Sequence, residues 1–297
     1  MNLKFPSGKE KKEVNLSRKL SNVLIAILFI GGFCILAYPT FSQFYNKQLT
    51  KKVVSDYQNQ LETFSESQYD TMFQEAELFN SRLMGRASES FDTVAYQNCM
   101  NLGNGMMGYI EIPTIDVSLP IYHGTTESVL QKGVGHLEWS TLPTGELGNN
   151  SVLTGHTGLP SATLFTNVDQ LILEDVIQLK ILDQTFFYEV SNITVVEPHE
   201  VDKISSVSNK DLITLVTCTP YGVNSHRLLV EAERMYISDY EATQYSFGEK
   251  NLLMRVLEVV LVLTFVVMIV WFYRYKTRPY IPPPIEIDGD EDEEDFE

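Results

Sequence analysis

The 297-residue chain has only three cysteines, Cys34, Cys99 and Cys218, too few for a disulfide framework. No group of Cys and His residues has metal-ligand spacing, and no glycine-rich loop could cradle a phosphate, so neither metal nor cofactor is expected. Basic residues are scarce as well. The 22 Lys and Arg stand against 39 Asp and Glu, a net charge of -17, and this balance excludes a nucleic-acid binder. Nine of the acidic residues lie within 286–297, where there is no basic one, and Pro282-Pro283-Pro284 introduces them. Such a run is expected to stay solvated and disordered. Outside the apolar runs only Cys99 and Cys218 could meet, and both are expected to be free thiols.

Charge is absent from one long stretch and nearly absent from another. Leu20 to Asn46 carries none, and Val23 to Tyr38 is almost wholly apolar; Val256 to Tyr273 holds a single Glu. Eighteen residues at about 1.5 Å each give roughly 27 Å, close to the hydrocarbon thickness of a bilayer. Two membrane spans are therefore expected. Lys4, Lys9, Lys11, Lys12, Arg18 and Lys19 precede the first, and Arg274, Lys276 and Arg278 follow the second, which predicts both termini in the cytoplasm and the intervening loop outside. A cleaved signal peptide is the alternative for the N-terminal run, although Ile35-Leu36-Ala37-Tyr38-Pro39 offers no small-x-small cleavage site.

Between the spans the periodicity changes once. Over 47–84, Val54, Tyr57, Leu61, Phe64, Tyr69, Met72, Phe73 and Phe79 recur mostly at intervals of three to five, predicting one or two amphipathic helices that pack on the following domain. From Gly108 onward, short β-branched and aromatic runs alternate with Gly, Pro, Asn and Asp. Strands are predicted at 108–112, 119–122, 150–155, 175–182, 185–190, 192–198, 212–218 and 227–234, with helical turns near 127–132 and 162–171. Asp183-Gln184 is read as a two-residue hairpin connection. Eight short strands fit a closed, mainly β barrel, which also removes exposed strand edges.

Chemistry concentrates at the ends of three of these strands. Cys218 closes Ile213-Thr214-Leu215-Val216-Thr217, with Thr219-Pro220 after it; Arg227 lies nine residues on; His156 follows Ser151-Val152-Leu153-Thr154-Gly155. A thiol, an imidazole and a guanidinium together suit covalent catalysis, in which the thiolate attacks, the imidazole moves the proton and the cation stabilises an oxyanion. His123, His136, His199 and His226 lack comparable flanks; His136 is expected to be a structural hydrogen-bonder, and His226 should face away from Arg227 by strand alternation.

The flanks of these residues resemble the sortases, membrane-bound cysteine transpeptidases of Gram-positive surfaces. Met107-Gly108-Tyr109-Ile110-Glu111-Ile112-Pro113, the stretch Ser151 to Pro160 and the stretch Thr214 to Arg227 carry the likeness, and Gly133-Val134-Gly135-His136-Leu137-Glu138 places it nearest class C, the pilus-assembling group. The resemblance implies an eight-stranded sortase β-barrel with His156, Cys218 and Arg227 as the catalytic residues. It also implies cleavage of an LPXTG-like sorting signal through a thioester and transfer to a pilin lysine. Transfer to cell-wall peptide is the alternative, and a non-catalytic membrane scaffold a second. The expected organisation is a cytoplasmic N-terminus at 1–19, a transmembrane helix at 20–42, a helical juxtamembrane segment at 43–100, the catalytic barrel at 101–240, a second transmembrane helix at 252–273 and an acidic cytoplasmic tail at 274–297. Class C enzymes carry a lid with an Asp-Pro-aromatic motif, and this chain has no Asp-Pro dipeptide. Phe91 and Asp92 offer only the reversed order, so a missing, shortened or unconventional lid is expected.

Overall fold

The computed structural model describes residues 8–86 and 95–236 and scattered positions between 260 and 274, with side chains described from residue 20 onward except at 202 and 203. The chain divides into two units, Met1–Gly248 and Glu249–Glu297, and the barrel lies in the first. The second apolar run, the acidic tail and the Phe91-Asp92 pair fall in or largely in the stretches outside the described residues.

Helix α1, Gly8–Leu61, runs unbroken through the uncharged stretch and through Pro39. From Leu20 it contains a window of mean hydropathy 2.4, long and apolar enough to cross a membrane. The sequence pattern divides this region at residue 42, but no charge, glycine pair or capping residue there ends the helix. Its polar end instead continues onto the barrel. Helix α2, Glu66–Leu83, starts at Ser65, whose N–H donates to Gln68 Oε1 at 2.8 Å, a capping arrangement that ends the loop after α1.

The barrel strands are β1 (Met106–Ile112), β2 (Val117–His123), β3 (Val134–His136), β4 (Asn150–Thr154), β5 (Val176–Ile181), β6 (Gln184–Val196), β7 (Leu212–Thr219) and β8 (His226–Met235); helix α3 spans Glu127–Leu130. They close in the order β1-β2-β3-β4-β7-β8-β6-β5, with β2/β3 and β4/β7 parallel and the other pairs antiparallel. Inward-facing Ile110, Ile121, Leu153, Ile177, Leu215 and Val230 are fully buried and fill the interior.

The strand count of eight agrees with the sequence pattern, but the assignment differs in two places. The predicted strands 185–190 and 192–198 are one strand, β6, bent by a register shift between Val190 and Asn192. Strand β3 has no predicted counterpart: it is three residues long and centred on Gly135, where a Cβ would lie 2.4 Å from the Gly124 carbonyl oxygen. The β5–β6 turn is Leu182-Asp183, one residue earlier than the pattern places it, with Leu182 at φ 49°.

Leu182 takes that conformation beside α1. Its N–H donates to Tyr57 Oη at 3.0 Å, while the same hydroxyl donates to the Met107 carbonyl at 3.0 Å. Tyr57 is fully buried. Tyr57→Phe should lower stability by about 1–3 kcal/mol, because it strands a buried N–H and a buried carbonyl together. A shift in the urea midpoint with unchanged slope measures it. On the other flank, Asn80 of α2 exchanges two hydrogen bonds with the Leu142 backbone, at 2.9 and 2.7 Å.

His136 is structural, as its flanks suggest. Its Nε2 faces the Thr141 carbonyl at 2.9 Å, so that nitrogen carries the proton and Nδ1 accepts from the Tyr96 hydroxyl at 2.9 Å. Burial pushes the imidazole down to about 4, with His123 adding a smaller push in the same direction. Because the folded value lies below the ordinary 6.5, the stability it confers is complete above that pH and is lost as pH falls toward 4. Asp211 opposes this within the same window: burial raises its carboxyl to about 7, so its contribution is largest in acid and fades as pH rises. The difference in melting temperature between wild type and His136→Gln, followed from neutral to acid pH, is expected to shrink as the pH falls.

Candidate active site

Strand directions bring the three candidate residues to one end of the barrel. Since β4 and β7 are parallel, their C-terminal ends lie together, and antiparallel β8 starts where β7 stops. Cys218 and Arg227 are direct cross-strand partners. Opposed residues share a face, so thiol and guanidinium project from the same side of the sheet.

That side is the outer wall. Along β7, Ile213 and Leu215 point into the barrel core, whereas Val216 belongs to a separate cluster with Val152 and Leu229, covered by Leu137, Val196, Val201 and Ile204. Cys218 continues the outward row two residues beyond Val216. The connection after β6, with its 3-10 turn Pro198–Lys203, packs through Val201 and Ile204 on the outer face of β4, β7 and β8, beside the row that ends at Cys218.

His156 lies just past the β4 end and is located by the residue before the thiol. Thr217 Oγ1 donates to the Gly155 carbonyl at 2.8 Å and lies 2.7 Å from Thr157 Oγ1, so both neighbours of His156 are tied to the neighbour of Cys218. The Gly155 N–H adds a bond to the Val216 carbonyl at 3.2 Å. Only glycine fits at 155, where a Cβ would lie 2.7 Å from the Phe165 ring. The imidazole Nε2 sits 3.2 Å from Glu127 Oε2 at the first turn of α3, and Glu127 also accepts from Gln131 at 2.9 Å. These contacts hold Glu127 below the usual carboxylate range, the Gln131 bond first and the His156 bond second.

Arg227 is partly committed. Its Nη1 donates to the Asn224 and His226 carbonyls at 3.2 and 3.0 Å, while its other nitrogens make no hydrogen bond to the described residues. His226 lies on the opposite face by alternation and reaches Glu197 at 3.3 Å. None of the three cysteines forms a disulfide; Cys99 is fully buried, which drives its thiol up to about 11 and makes it inert by comparison with half-exposed Cys218. Linear spacing does not reveal Thr157, Thr217 or Glu127, since each acts through a partner far away in sequence.

A closed mixed barrel of eight strands, with a half-exposed thiol at the end of β7 and a cross-strand arginine, is the architecture of the cysteine transpeptidases that carry the sortase fold. The sortase domain family matches residues 110–235. Sortase C1 from Streptococcus agalactiae is 40% identical, with a TM-score of 0.58, over 63% of this chain and 100% of that structure. Sortase C from Streptococcus pneumoniae is 37% identical with a TM-score of 0.57, over 63% and 97%. Sortase D of Bacillus subtilis is 32% identical over 115 residues, which are 39% of this chain and 55% of that protein. The chain thus spans about half the length of that relative. It belongs to the sortase family, and its solved neighbours include class C members.

Proposed function

We propose that the chain is a membrane-anchored transpeptidase that joins a sorting signal of LPXTG type to a pilin lysine, with Cys218 as nucleophile, His156 as proton carrier and Arg227 as oxyanion donor. The Cys218 sulfur attacks the threonine carbonyl of the signal; as the C–N bond to glycine breaks, His156 delivers a proton to the leaving amine and a thioester remains. An incoming lysine amine then attacks the thioester. His156 takes its proton, the new amide forms and the thiolate departs. The cross-strand register of Cys218 and Arg227, with His156 tied to the same strand through Thr217, is the observation that supports this reading most directly.

The pilin acceptor draws its support from the class C neighbours, among them sortase C from Streptococcus pneumoniae, whose structure bears on pilin substrate specificity. Anchoring draws its support from the apolar part of α1 and, in the sequence, from the second apolar run; the basic residues flanking the two runs favour a barrel outside the cell with both termini in the cytoplasm. Anchored enzyme and anchored substrate meet in two dimensions, which raises their effective concentration. Incubating the enzyme and a signal peptide with a pilin in one reaction and a wall-peptide amine mimic in another, then sequencing the products by mass spectrometry, tests it. A lysine isopeptide bond to the pilin is expected; transfer to the wall mimic alone would replace the pilin acceptor, and hydrolysis with no transfer would overturn the transpeptidase reading.

A further inference from the structure

The membrane helix and the candidate active site lie at the same end of the barrel. Strands β1, β4 and β7 run in one direction, because β1 is antiparallel to β2, β2 parallel to β3, β3 antiparallel to β4 and β4 parallel to β7. Their C-terminal ends, and the N-terminal ends of β2, β5 and β8, therefore share one rim, which carries Cys218, Arg227 and His156.

Helix α1 descends from that rim along the wall formed by β1 and β2. Near its C-terminus Gln60 donates to the Leu102 carbonyl at 2.6 Å, just before β1, and Tyr57 reaches Met107 and Leu182 at the far end. Higher up, Lys47 pairs with Asp116 at 2.6 Å, in the turn between β1 and β2 on the active-site rim. Asn46 and Ser42 donate to the Ser161 carbonyl at 2.6 and 3.3 Å, in the segment that leaves His156 and crosses the barrel mouth toward β5. Between residues 42 and 60 the helix covers about 27 Å, and everything N-terminal to this extends beyond the rim. Lys47 is the first charge after the uncharged run, so the end of that run falls level with the rim.

The rim also displays Ile172 and Leu173, adjacent and 68% and 58% exposed, on the turn that enters β5. The turn is built: Ile172 N–H donates to Asp175 Oδ2 at 2.9 Å, and Glu174 N–H to the Val190 carbonyl at 2.9 Å. Asp169, Glu174 and Asp175 flank the pair, and at a membrane surface such carboxylates would stay among the hydrated headgroups.

We propose that the catalytic rim faces the bilayer, with Ile172 and Leu173 at the headgroup boundary, so that Cys218 lies beside the membrane and meets sorting signals a few residues from their own membrane segments. This rests on the reading of α1 as a membrane anchor. The orientation is a separate matter, because a barrel hung from the other end of the same helix would hold its active site away from the lipid.

The test uses the full chain with Cys34→Ser and Cys218→Ala, leaving buried Cys99, and adds Ile172→Cys in one sample and Asp183→Cys in another. Asp183 is exposed in the β5–β6 turn at the far end of the same strand that begins beside Ile172. Each protein is labelled with a small fluorophore and reconstituted in phosphatidylcholine vesicles whose headgroups carry a nitroxide quencher, after flotation has established binding. The probe at 172 is expected to lose most of its emission and the probe at 183 little. Equal quenching, or stronger quenching at 183, overturns the orientation while leaving the anchor intact; failure to float overturns both. Shielding at 172 that grows with protein density and without quencher, the mark of a second copy covering the tip, also overturns it.

Discussion

Cys218→Ala should abolish both transfer and acyl-enzyme formation, with a loss on the order of a thousandfold or more. No other thiol is exposed on the barrel: Cys99 is fully buried, and Cys34 lies in the apolar stretch of α1. The fold should survive, because Cys218 is half-exposed at the last-but-one position of its strand and the change removes a single sulfur; a stability change within about 1 kcal/mol is expected. Intact-mass measurement of enzyme incubated with a sorting-signal peptide checks the prediction. Wild type should gain the acyl mass and the alanine variant should not, while their circular dichroism and melting curves coincide. Retained transfer by the variant would remove Cys218 from the mechanism.

Arg227→Lys should cost about 100- to 1,000-fold in kcat with little change in KM, the effect of losing one donor aimed at charge that develops only in the transition state. Lysine keeps the charge, but it replaces a rigid fork with a flexible ammonium. In Arg227 one arm of that fork, Nη1, is fastened to the carbonyls of the β7–β8 turn, which fixes the direction of the rest across from Cys218. A lysine cannot be held and donate in this way at once. Steady-state kinetics on a signal peptide, with unfolding curves showing an intact turn, decide the matter. Near-wild-type kcat in the lysine variant would mean that charge alone suffices.

The candidate site was legible in unequal parts. Cys218 and Arg227 are nine residues apart, and two strand-like runs joined by a short turn around Gly222 and Asn224 place such residues opposite one another; both turn residues have positive φ. His156 was legible as a motif but not as a neighbour. Sixty-two residues separate it from Cys218, and only the parallel pairing of β4 with β7, together with the bonds of Thr217, brings them to one rim. Glu127 was not legible at all, since it lies on a one-turn helix and meets His156 across 29 residues.

Local pattern likewise established the helical approach of 47–84 and most barrel strands, but it split β6 at its bulge and passed over β3, where two glycines serve close backbone approach and leave no alternation to read. By itself, then, the sequence determined what is written in short-range periodicity and composition: an apolar helix, amphipathic helices, a strand-rich domain and the residue types needed for thiol chemistry. The tertiary structure alone decided the closure of the barrel, the outward face of the thiol and the end of the barrel from which α1 departs. These depend on pairing between segments far apart in the chain, and the free energy of such pairing comes from hydrogen bonds and buried surface that neither segment possesses until the two are side by side.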